Sequence, residues 1–309
     1  MKFLITLPDN AFYAWQTLVQ INNFRRMGYE AETHYLIGQR VDKVSEYILK
    51  LLEHKDDFKC KFHVIRDTRI DNRYHVSLKP FLVKEFIKNN SDIGSDTFFY
   101  TDPDVIFKEK INLNQFDKDN VWYLSDARSY LNSKYIKSKG EQLFIEMCEI
   151  VGIDPLLVEA NDDAAGGAQW IVKNGTYELW DEIERVSTQL YVHMINTKDK
   201  YHPKDQEYPI QAWTAEMWAM LWVPWKYGFK MKVDKELDFC MATDNSERLS
   251  QVKILHNTGV NKVDNKAFCK PAFQVSPFFK QMMVSEESAS YLYYQELKDT
   301  EKNLSKYLF

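Results

Sequence analysis

The stretch Phe98-Phe99-Tyr100-Thr101-Asp102-Pro103-Asp104-Val105-Ile106-Phe107 joins an apolar strand to a charged turn. In an open α/β sheet, ligands bind beyond the carboxyl ends of the strands, so the pattern puts Asp102 and Asp104 where a ligand would lie. Two adjacent carboxylates repel each other unless a cation lies between them, and oxygen ligands suit Mg²⁺ or Mn²⁺. The alternative is a plain polar turn, because Asp-Pro-Asp is also common turn chemistry.

The residues before this stretch alternate between strand and helix patterns. Apolar and β-branched runs predict strands at Lys2–Leu7, Ala31–Ile37, Lys61–Ile65 and Thr97–Tyr100. Amphipathic patterns predict helices at Ala11–Met27, Val41–His54 and Pro80–Asn89. The order βαβαβαβ predicts an α/β fold with a mostly parallel sheet flanked by helices.

The second half of the chain is less regular. It predicts strands at Val121–Leu124, Ala168–Val172 and Val252–His256. The predicted helices are Gln142–Val151, Tyr177–Tyr191, Ala212–Trp222 and Ser285–Lys298. Since no Gly/Ser/Pro-rich linker interrupts the sequence, we expect a single domain over residues 1–309 with an elaborated C-terminal half.

Composition bounds the class of protein. The 309 residues are 45% hydrophobic and 15% aromatic, and the presence of only 10 Gly and 9 Pro excludes a disordered or collagen-like chain. The net charge of −5 argues against a protein whose main task is to coat nucleic acid. The four cysteines are far apart, without zinc spacing, and predict buried reduced thiols: Cys60, Cys148, Cys240 and Cys269. The short apolar run at the start and the absence of a long apolar segment predict a cytoplasmic protein with no membrane span.

The strand with its DxD motif resembles the glycosyltransferases of the GT-A fold, and three further motifs follow in the order typical of that fold. The first is a glycine loop, Ala164-Ala165-Gly166-Gly167-Ala168-Gln169-Trp170. The second is a carboxylate that opens a helix, Trp213-Thr214-Ala215-Glu216-Met217-Trp218. The third is a late histidine, Ile254-Leu255-His256-Asn257-Thr258-Gly259. Taken singly, each has a structural explanation: a turn, a solvated helix residue and a structural histidine.

The resemblance implies a metal-dependent hexosyl- or pentosyltransferase that uses a nucleotide diphosphate sugar, UDP-linked, with Mn²⁺ or Mg²⁺. It implies a nucleotide-binding half over residues 1–110, an acceptor-binding half over 111–275 and a C-terminal helical tail over 276–309. It implies that Asp102, Asp104 and His256 hold the metal, while Asp102 also contacts the donor. Glu216 becomes the catalytic base if the reaction inverts, or an acceptor-positioning group if it retains. The implied donor contacts are Leu7, Lys79, Thr101, Gly166, Gly167 and Lys262. The implied acceptor or sugar contacts are Asp162, Asp163, Gln169, Trp170 and Trp218, and Trp213 and Tyr100 are further rings that would stack on base or sugar.

A narrower resemblance concerns the hydroxyproline O-arabinosyltransferase group. Glu216-Met217-Trp218-Ala219 and Ile254-Leu255-His256-Asn257-Thr258 look like stretches of that group, in which an acidic-Pro-Asp motif occupies the DxD place. The sequence predicts no secretory membrane anchor of the kind typical of that group.

Basic residues form three sets with different possible roles. One precedes the DxD strand: Arg66, Arg69, Arg73, His75 and Lys79. A second is interleaved with Tyr130 and Tyr135 and suits either a solvated face or an anionic polymer such as DNA: Arg128, Lys134, Lys137 and Lys139. A third follows His256, and one of its members would neutralise the leaving diphosphate: Lys262, Lys266 and Lys270.

Several functions remain open at this point. The acceptor hydroxyl would belong to a glycan, a protein or a hydroxylated DNA base, the last requiring base flipping. A nucleotidyltransferase also places paired carboxylates and Mg²⁺ at a sheet edge, but it releases pyrophosphate. A non-catalytic module of the same fold would bind glycan or nucleotide sugar without turnover.

Overall fold

The computed structural model of the protein describes residues 1–90, 96–264 and 266–309. The strands in these ranges are β1 (Lys2–Pro8), β2 (Thr33–Gln39), β3 (Lys61–Arg66), β4 (Thr97–Thr101), β5 (Val105–Phe107), β6 (Trp122–Asp126), β7 (Gly166–Lys173), β8 (Met231–Val233), β9 (Phe239–Met241) and β10 (Ile254–His256). The α-helices are α1 (Ala11–Met27), α2 (Glu46–Glu53), α3 (Leu78–Asn89), α4 (Arg128–Leu131), α5 (Ser133–Lys139), α6 (Glu141–Val151), α7 (Pro155–Ala160), α8 (Tyr177–Thr197), α9 (Ala215–Lys226), α10 (Ser246–Gln251) and α11 (Tyr291–Asn303).

The strands form two sheets. The larger has seven strands in the order β3-β2-β1-β4-β7-β6-β8, and the smaller has the order β5-β10-β9. Pairs β1/β2, β2/β3 and β6/β8 are parallel, whereas β6/β7 is antiparallel. The prediction of an α/β fold with a mostly parallel sheet flanked by helices is confirmed.

The chain divides into two compact units. The first comprises Met1–Arg66, Phe99–Gln115 and Glu236–Phe309, and the second comprises Asp67–Phe98 and Phe116–Lys235. The first unit is therefore built from three separate segments of the chain, and it contains both the DxD motif and the late histidine.

Aromatic packing holds the first unit together. The ring of Phe3 on β1 lies 5.1 Å from Phe24 of α1, 5.1 Å from Phe99 of β4 and 4.7 Å from Tyr29. The three phenylalanines are almost fully buried, and the ring of Phe107 on β5 lies 5.5 Å from that of Phe24. Burial of each such side chain stabilises the fold by roughly 1.5–3 kcal/mol, so this cluster fixes α1 against the strand that leads to the carboxylates.

A long helix organises the second unit. Helix α8 packs against α3 and α9, and it begins at the cap of Thr176, whose side chain accepts a hydrogen bond from Leu179 N. Lys84 of α3 is nearly buried between Asp181, at 2.9 Å, and Glu184 of α8. Because a buried ammonium needs paired charges, these carboxylates fix the register of α3 on α8.

Several element boundaries differ from the sequence-based predictions. Helix α2 begins at Glu46 rather than Val41, because the side chain of Ser45 caps it by accepting a hydrogen bond from Ile48 N, while Val41 is exposed. The last helix begins at Tyr291 rather than Ser285. Strands β5, β8 and β9 were not predicted, since three residues are too few to show a period of two.

Among the described residues, no helix is both long enough and apolar enough to cross a membrane.

Candidate functional site

The two carboxylates of the DxD motif lie in a turn between β4 and β5. Val105 N donates to Asp102 O at 3.3 Å, which closes the turn around Pro103 and Asp104. Asp104 is 3% exposed although it carries a carboxylate. A buried carboxylate requires a compensating charge, so the surroundings of Asp104 decide what this turn can bind.

His256 reaches the same point from the neighbouring strand. Strand β10 pairs antiparallel with β5, and the register places His256 opposite Val105. The main chain locks this pairing, because Asn257 N donates to Asp104 O at 3.0 Å. As a result His256 Nε2 lies 3.3 Å from Asp104 Oδ1 and 3.7 Å from Asp102 Oδ2.

The three side chains fit a divalent metal ion. Their ligand atoms all lie within 4.8 Å of one another. Ligands that share an octahedral Mn²⁺ or Mg²⁺ at about 2.1 Å lie roughly 3–4 Å apart, and the two distances from His256 Nε2 to the carboxylates, 3.3 and 3.7 Å, fall in this range. In the part of the chain that the structure describes, Thr101 Oγ1 and both side-chain polar atoms of Asn257 are buried without a hydrogen-bond partner. Such groups beside a carboxylate cluster are typical of sites that bind water or ions.

Lys270 completes the charge balance of the cluster. Its Nζ pairs with Asp104 Oδ2, leaving Oδ1 to His256. Burial opposes ionisation of Asp104, but the charges of Lys270 and His256 outweigh it and hold the pKa of this carboxyl below its ordinary value. Lys270 begins a short 3-10 helix whose C-cap residue is Phe273, and Trp15 Nε1 of α1 donates to Phe273 O at 3.0 Å. This bond ties the segment that carries Lys270 to α1. Of the three lysines that follow His256 in the sequence, this is the one paired with the carboxylate cluster.

The remaining predicted donor contacts of the first unit are Leu7, Thr101 and Lys262. Leu7 and Thr101 are buried near the ends of β1 and β4. Lys262 lines a cavity of about 660 Å³ together with Thr243 and Gly259.

The glycine loop lies in the second unit at the start of β7. Gly166 and Gly167 pair antiparallel with Asp126 and Ser125 of β6, next to a register shift between Leu124 and Ser125. A Cβ atom on Gly166 would lie 2.5 Å from Ser125 O, and one on Gly167 would lie 2.2 Å from Met217 Cε. Atoms of the same unit therefore fill the space beside both glycines, and a side chain is excluded at Gly166, where the nearest atom belongs to the main chain.

Two of the predicted sugar contacts near the loop, Asp162 and Gln169, already have protein partners. Asp162 accepts hydrogen bonds from Ser133 N, at 2.7 Å, and Ser133 Oγ, at 2.6 Å. Gln169 is buried and its Oε1 accepts from Ser125 Oγ at 2.6 Å. Asp163 is exposed and follows Asp162 in the chain. Trp170 is buried in the same strand.

Glu216 lies in the first turn of α9 and is 4% exposed. Its backbone N donates to Tyr74 Oη at 3.2 Å, and the Tyr74 hydroxyl donates to Trp213 O at 2.6 Å. Burial and the charge of Glu216 raise the pKa of Tyr74 well above its ordinary value. Trp218 is fully buried and donates to Leu131 O, whereas the Trp213 side chain is exposed. The tyrosine therefore fixes the start of the helix that carries the carboxylate.

Most cations of the two basic segments are paired. Arg66, Arg69 and Arg73 form ion pairs with Asp42, Asp67 and Asp71 at 2.6–2.9 Å. In the second segment Arg128 pairs with Asp126, and Lys137 pairs with Glu141 and Glu159. Lys79 is partly buried in the first turn of α3.

Sequence reasoning did not identify Tyr74 or the amide side chains of α1 that hold the turn. The detectable signal for the latter was the presence of Gln20 and Asn23, with two further amide side chains, within one otherwise largely apolar helix.

Comparisons with known proteins concern the fold. No family model matches the sequence, and no curated protein matches it. The apo structure of the WbbM bifunctional glycosyltransferase superposes with a TM-score of 0.51 at 11% identity, covering 100% of this chain and 51% of WbbM. The galactosyltransferase LgtC, in complex with donor and acceptor sugar analogues, gives a TM-score of 0.46 at 11% identity, covering 97% of this chain and 96% of LgtC. Mouse xyloside xylosyltransferase 1 gives 0.40 at 13% identity, covering 83% of this chain and 97% of the mouse protein.

The chain spans about half the length of WbbM. Its strand order and this superposition show the GT-A fold of glycosyltransferases, and the predicted resemblance to that fold is confirmed. The narrower resemblance to hydroxyproline O-arabinosyltransferases stays a prediction.

Proposed function

We propose that this chain is a metal-dependent glycosyltransferase that moves a sugar from a UDP-linked donor to an acceptor hydroxyl. The observation that carries the proposal is the cluster of Asp102, Asp104 and His256 at the carboxyl end of β4, within a GT-A fold. Carboxyl ends of strands are where α/β sheets bind ligands, and this donor set suits Mn²⁺ or Mg²⁺.

The cluster would act on the leaving diphosphate through the cation that it holds. Asp102, Asp104 and His256 would hold a divalent cation, which supplies Lewis-acid stabilisation of the charge that develops on the diphosphate. Lys270 adds a fixed positive charge beside Asp104, and Lys262 is a second candidate for a phosphate contact. Leu7 and Thr101 contribute to the donor site from the ends of their strands.

Glu216 is the proposed catalytic base of an inverting reaction. Its carboxylate takes the proton of the acceptor hydroxyl while that oxygen bonds to the anomeric carbon and the bond from this carbon to the diphosphate oxygen breaks. Nucleoside diphosphate and the glycosylated acceptor are the products. In a retaining reaction Glu216 would position the acceptor and a donor phosphate oxygen would take the proton.

The second unit supplies the proposed sugar contacts. Gly166 and Gly167 are proposed donor contacts through their main chain, Lys79 provides a positive charge, and Asp163 offers a carboxylate for sugar hydroxyls. We assign acceptor stacking to Trp213, since its ring is exposed three residues before Glu216. The other predicted sugar contacts would support these residues by packing and hydrogen bonding inside the second unit: Asp162, Gln169, Trp170 and Trp218.

Among the acceptors considered, a glycan or protein fits better than a hydroxylated DNA base. The second basic segment would have to meet phosphates, yet Arg128 and Lys137 pair with carboxylates of the chain. A neutralised surface gives little counterion release and hence little affinity for DNA.

The first test measures UDP release from a panel of UDP-sugars with Mn²⁺ or with EDTA. Turnover should require the metal, and Asp104→Asn should abolish it, whereas Asp205→Asn, which removes an exposed carboxylate, should leave it intact. Full activity of Asp104→Asn would refute the metal site. With UTP and a sugar 1-phosphate in place of the UDP-sugar, release of pyrophosphate would indicate a nucleotidyltransferase. Donor binding without turnover would indicate a binding module.

The second test concerns Glu216. Glu216→Gln should keep donor affinity while the transfer rate falls at least about 100-fold, since loss of a general base typically costs that much. Loss of donor affinity with an unchanged rate constant would remove Glu216 from the catalytic role.

A further inference from the structure

A single buried amide ties together the parts of the proposed metal site. Gln20 of α1 is completely buried, and its Nε2 donates to Asp102 O and to Val105 O, both at 2.9 Å. These carbonyls stand at the two ends of the turn that carries Asp102 and Asp104. An amide nitrogen has two hydrogens to donate, so its whole donor capacity is used on this turn.

The hydrogen bond to Val105 O also holds the residue that pairs with His256. Val105 is the β5 residue opposite His256 in the antiparallel pair β5/β10. The side-chain amide of Gln20 thus fixes the main chain at Asp102, in the carboxylate turn, and at Val105, the partner of His256 in the strand pair.

Helix α1 is itself held in place at this level. Asn23, three residues after Gln20 and so on the same helical face, donates to Phe107 O at 3.0 Å and accepts from Phe107 N at 2.9 Å. Glu296 of α11 accepts from Asn23 at 2.9 Å and from Asn22 at 2.6 Å, and it pairs with Arg26 at 2.5 Å. Helix α1, which carries Gln20, is therefore tied by hydrogen bonds to β5 and α11.

We infer that Gln20 is a positioning residue for the metal site, setting the separation of Asp102, Asp104 and His256 through the main chain of the turn. This inference rests on the proposed function. Groups that orient metal ligands without touching the metal are worth about 10–100-fold in metal affinity. Gln20 touches no ligand side chain in the described hydrogen bonds, so its effect passes through the main chain.

The helix provides a matched control one turn earlier. Gln16 is also buried, but its Nε2 donates to Phe12 O within α1 itself. Gln20→Met and Gln16→Met therefore make the same change of shape and polarity on one helix, and only the first frees the carboxylate turn.

The experiment titrates the full chain with Mn²⁺ alone, following free Mn²⁺ by electron paramagnetic resonance, and records the melting temperature of each variant. Gln20→Met should weaken Mn²⁺ binding about ten-fold, while Gln16→Met stays near the wild type although both melt earlier. Wild-type affinity in Gln20→Met would overturn the inference.

A second variant covers the case in which Gln20→Met does not fold. Gln20→Asn keeps the amide but shortens it by one methylene, so it cannot span both carbonyls, and Mn²⁺ affinity should again fall. Unchanged affinity would overturn the inference. If the wild type itself binds no Mn²⁺, the proposed function fails, and the inference with it; binding by the wild type with no loss in either Gln20 variant overturns the inference alone.

Discussion

The glycine loop offers a stability prediction in which two neighbouring residues respond differently to the same added methyl group. In Gly166→Ala the new Cβ would lie 2.5 Å from Ser125 O and 2.6 Å from Leu124 Cβ. Ordinary carbon contacts are about 3.5–4.0 Å, so these neighbours are too close by roughly an ångström. Ser125 O is a main-chain atom of the paired strand β6, and relief requires β6 and β7 to separate.

The same methyl at Gly167 meets a softer neighbour. Its Cβ would lie 2.2 Å from Met217 Cε and 3.3 Å from Leu131 Cδ1. The nearer atom is the end of a flexible side chain, which adapts by rotation. Overpacking typically costs 1–3 kcal/mol, so we expect about 3 kcal/mol or more for Gly166→Ala and about 1 kcal/mol for Gly167→Ala.

Thermal unfolding followed by calorimetry measures both changes. At roughly 2–4 °C per kcal/mol, Gly166→Ala should lower the melting temperature by about 6–12 °C and Gly167→Ala by about 2–4 °C. Gly228→Ala is the control, since its φ of 78° strains an alanine, yet a Cβ there meets no described atom within 4 Å. The reasoning is refuted if Gly166→Ala is no less stable than Gly167→Ala.

Two further predictions concern charge and thiols. Lys270→Met removes the ammonium that competes with a metal for Asp104, so Mn²⁺ should bind about ten-fold more tightly without donor, a change of about 1.4 kcal/mol; weaker binding in a Mn²⁺ titration would contradict this. Burial raises the pKa of three thiols to about 12: those of Cys60, Cys148 and Cys240. At pH 8.5 iodoacetamide should therefore label them at least about 100-fold more slowly in folded than in urea-unfolded protein, because an exposed thiol has a pKa near 8.5; equal rates, read by mass spectrometry, would show that these thiols are accessible.

Local patterns were sufficient where one element carried its own signal. Helix α1 begins and ends as predicted, because the Asn10 side chain accepts from Tyr13 N at its start and Gly28 adopts the left-handed conformation at its end. Val41 was wrongly included in α2, since an apolar residue before a capping serine looks like part of the helix in sequence alone.

The sequence by itself determined the alternation of strands and helices, the apolar strand that ends in Asp102-Pro103-Asp104, and the residue types needed for a metal site. These features depend on periodicity and on neighbours in the chain. Only the tertiary structure brought His256 within 3.3 Å of Asp104, since that approach depends on the pairing of β10 with β5, about 150 residues apart. Only the tertiary structure showed that Lys270 pairs with Asp104 and that the side chain of Gln20 donates to the main chain of the carboxylate turn. Hydrogen bonds and ion pairs act over a few ångströms in space, and separation along the chain does not reveal which groups will meet.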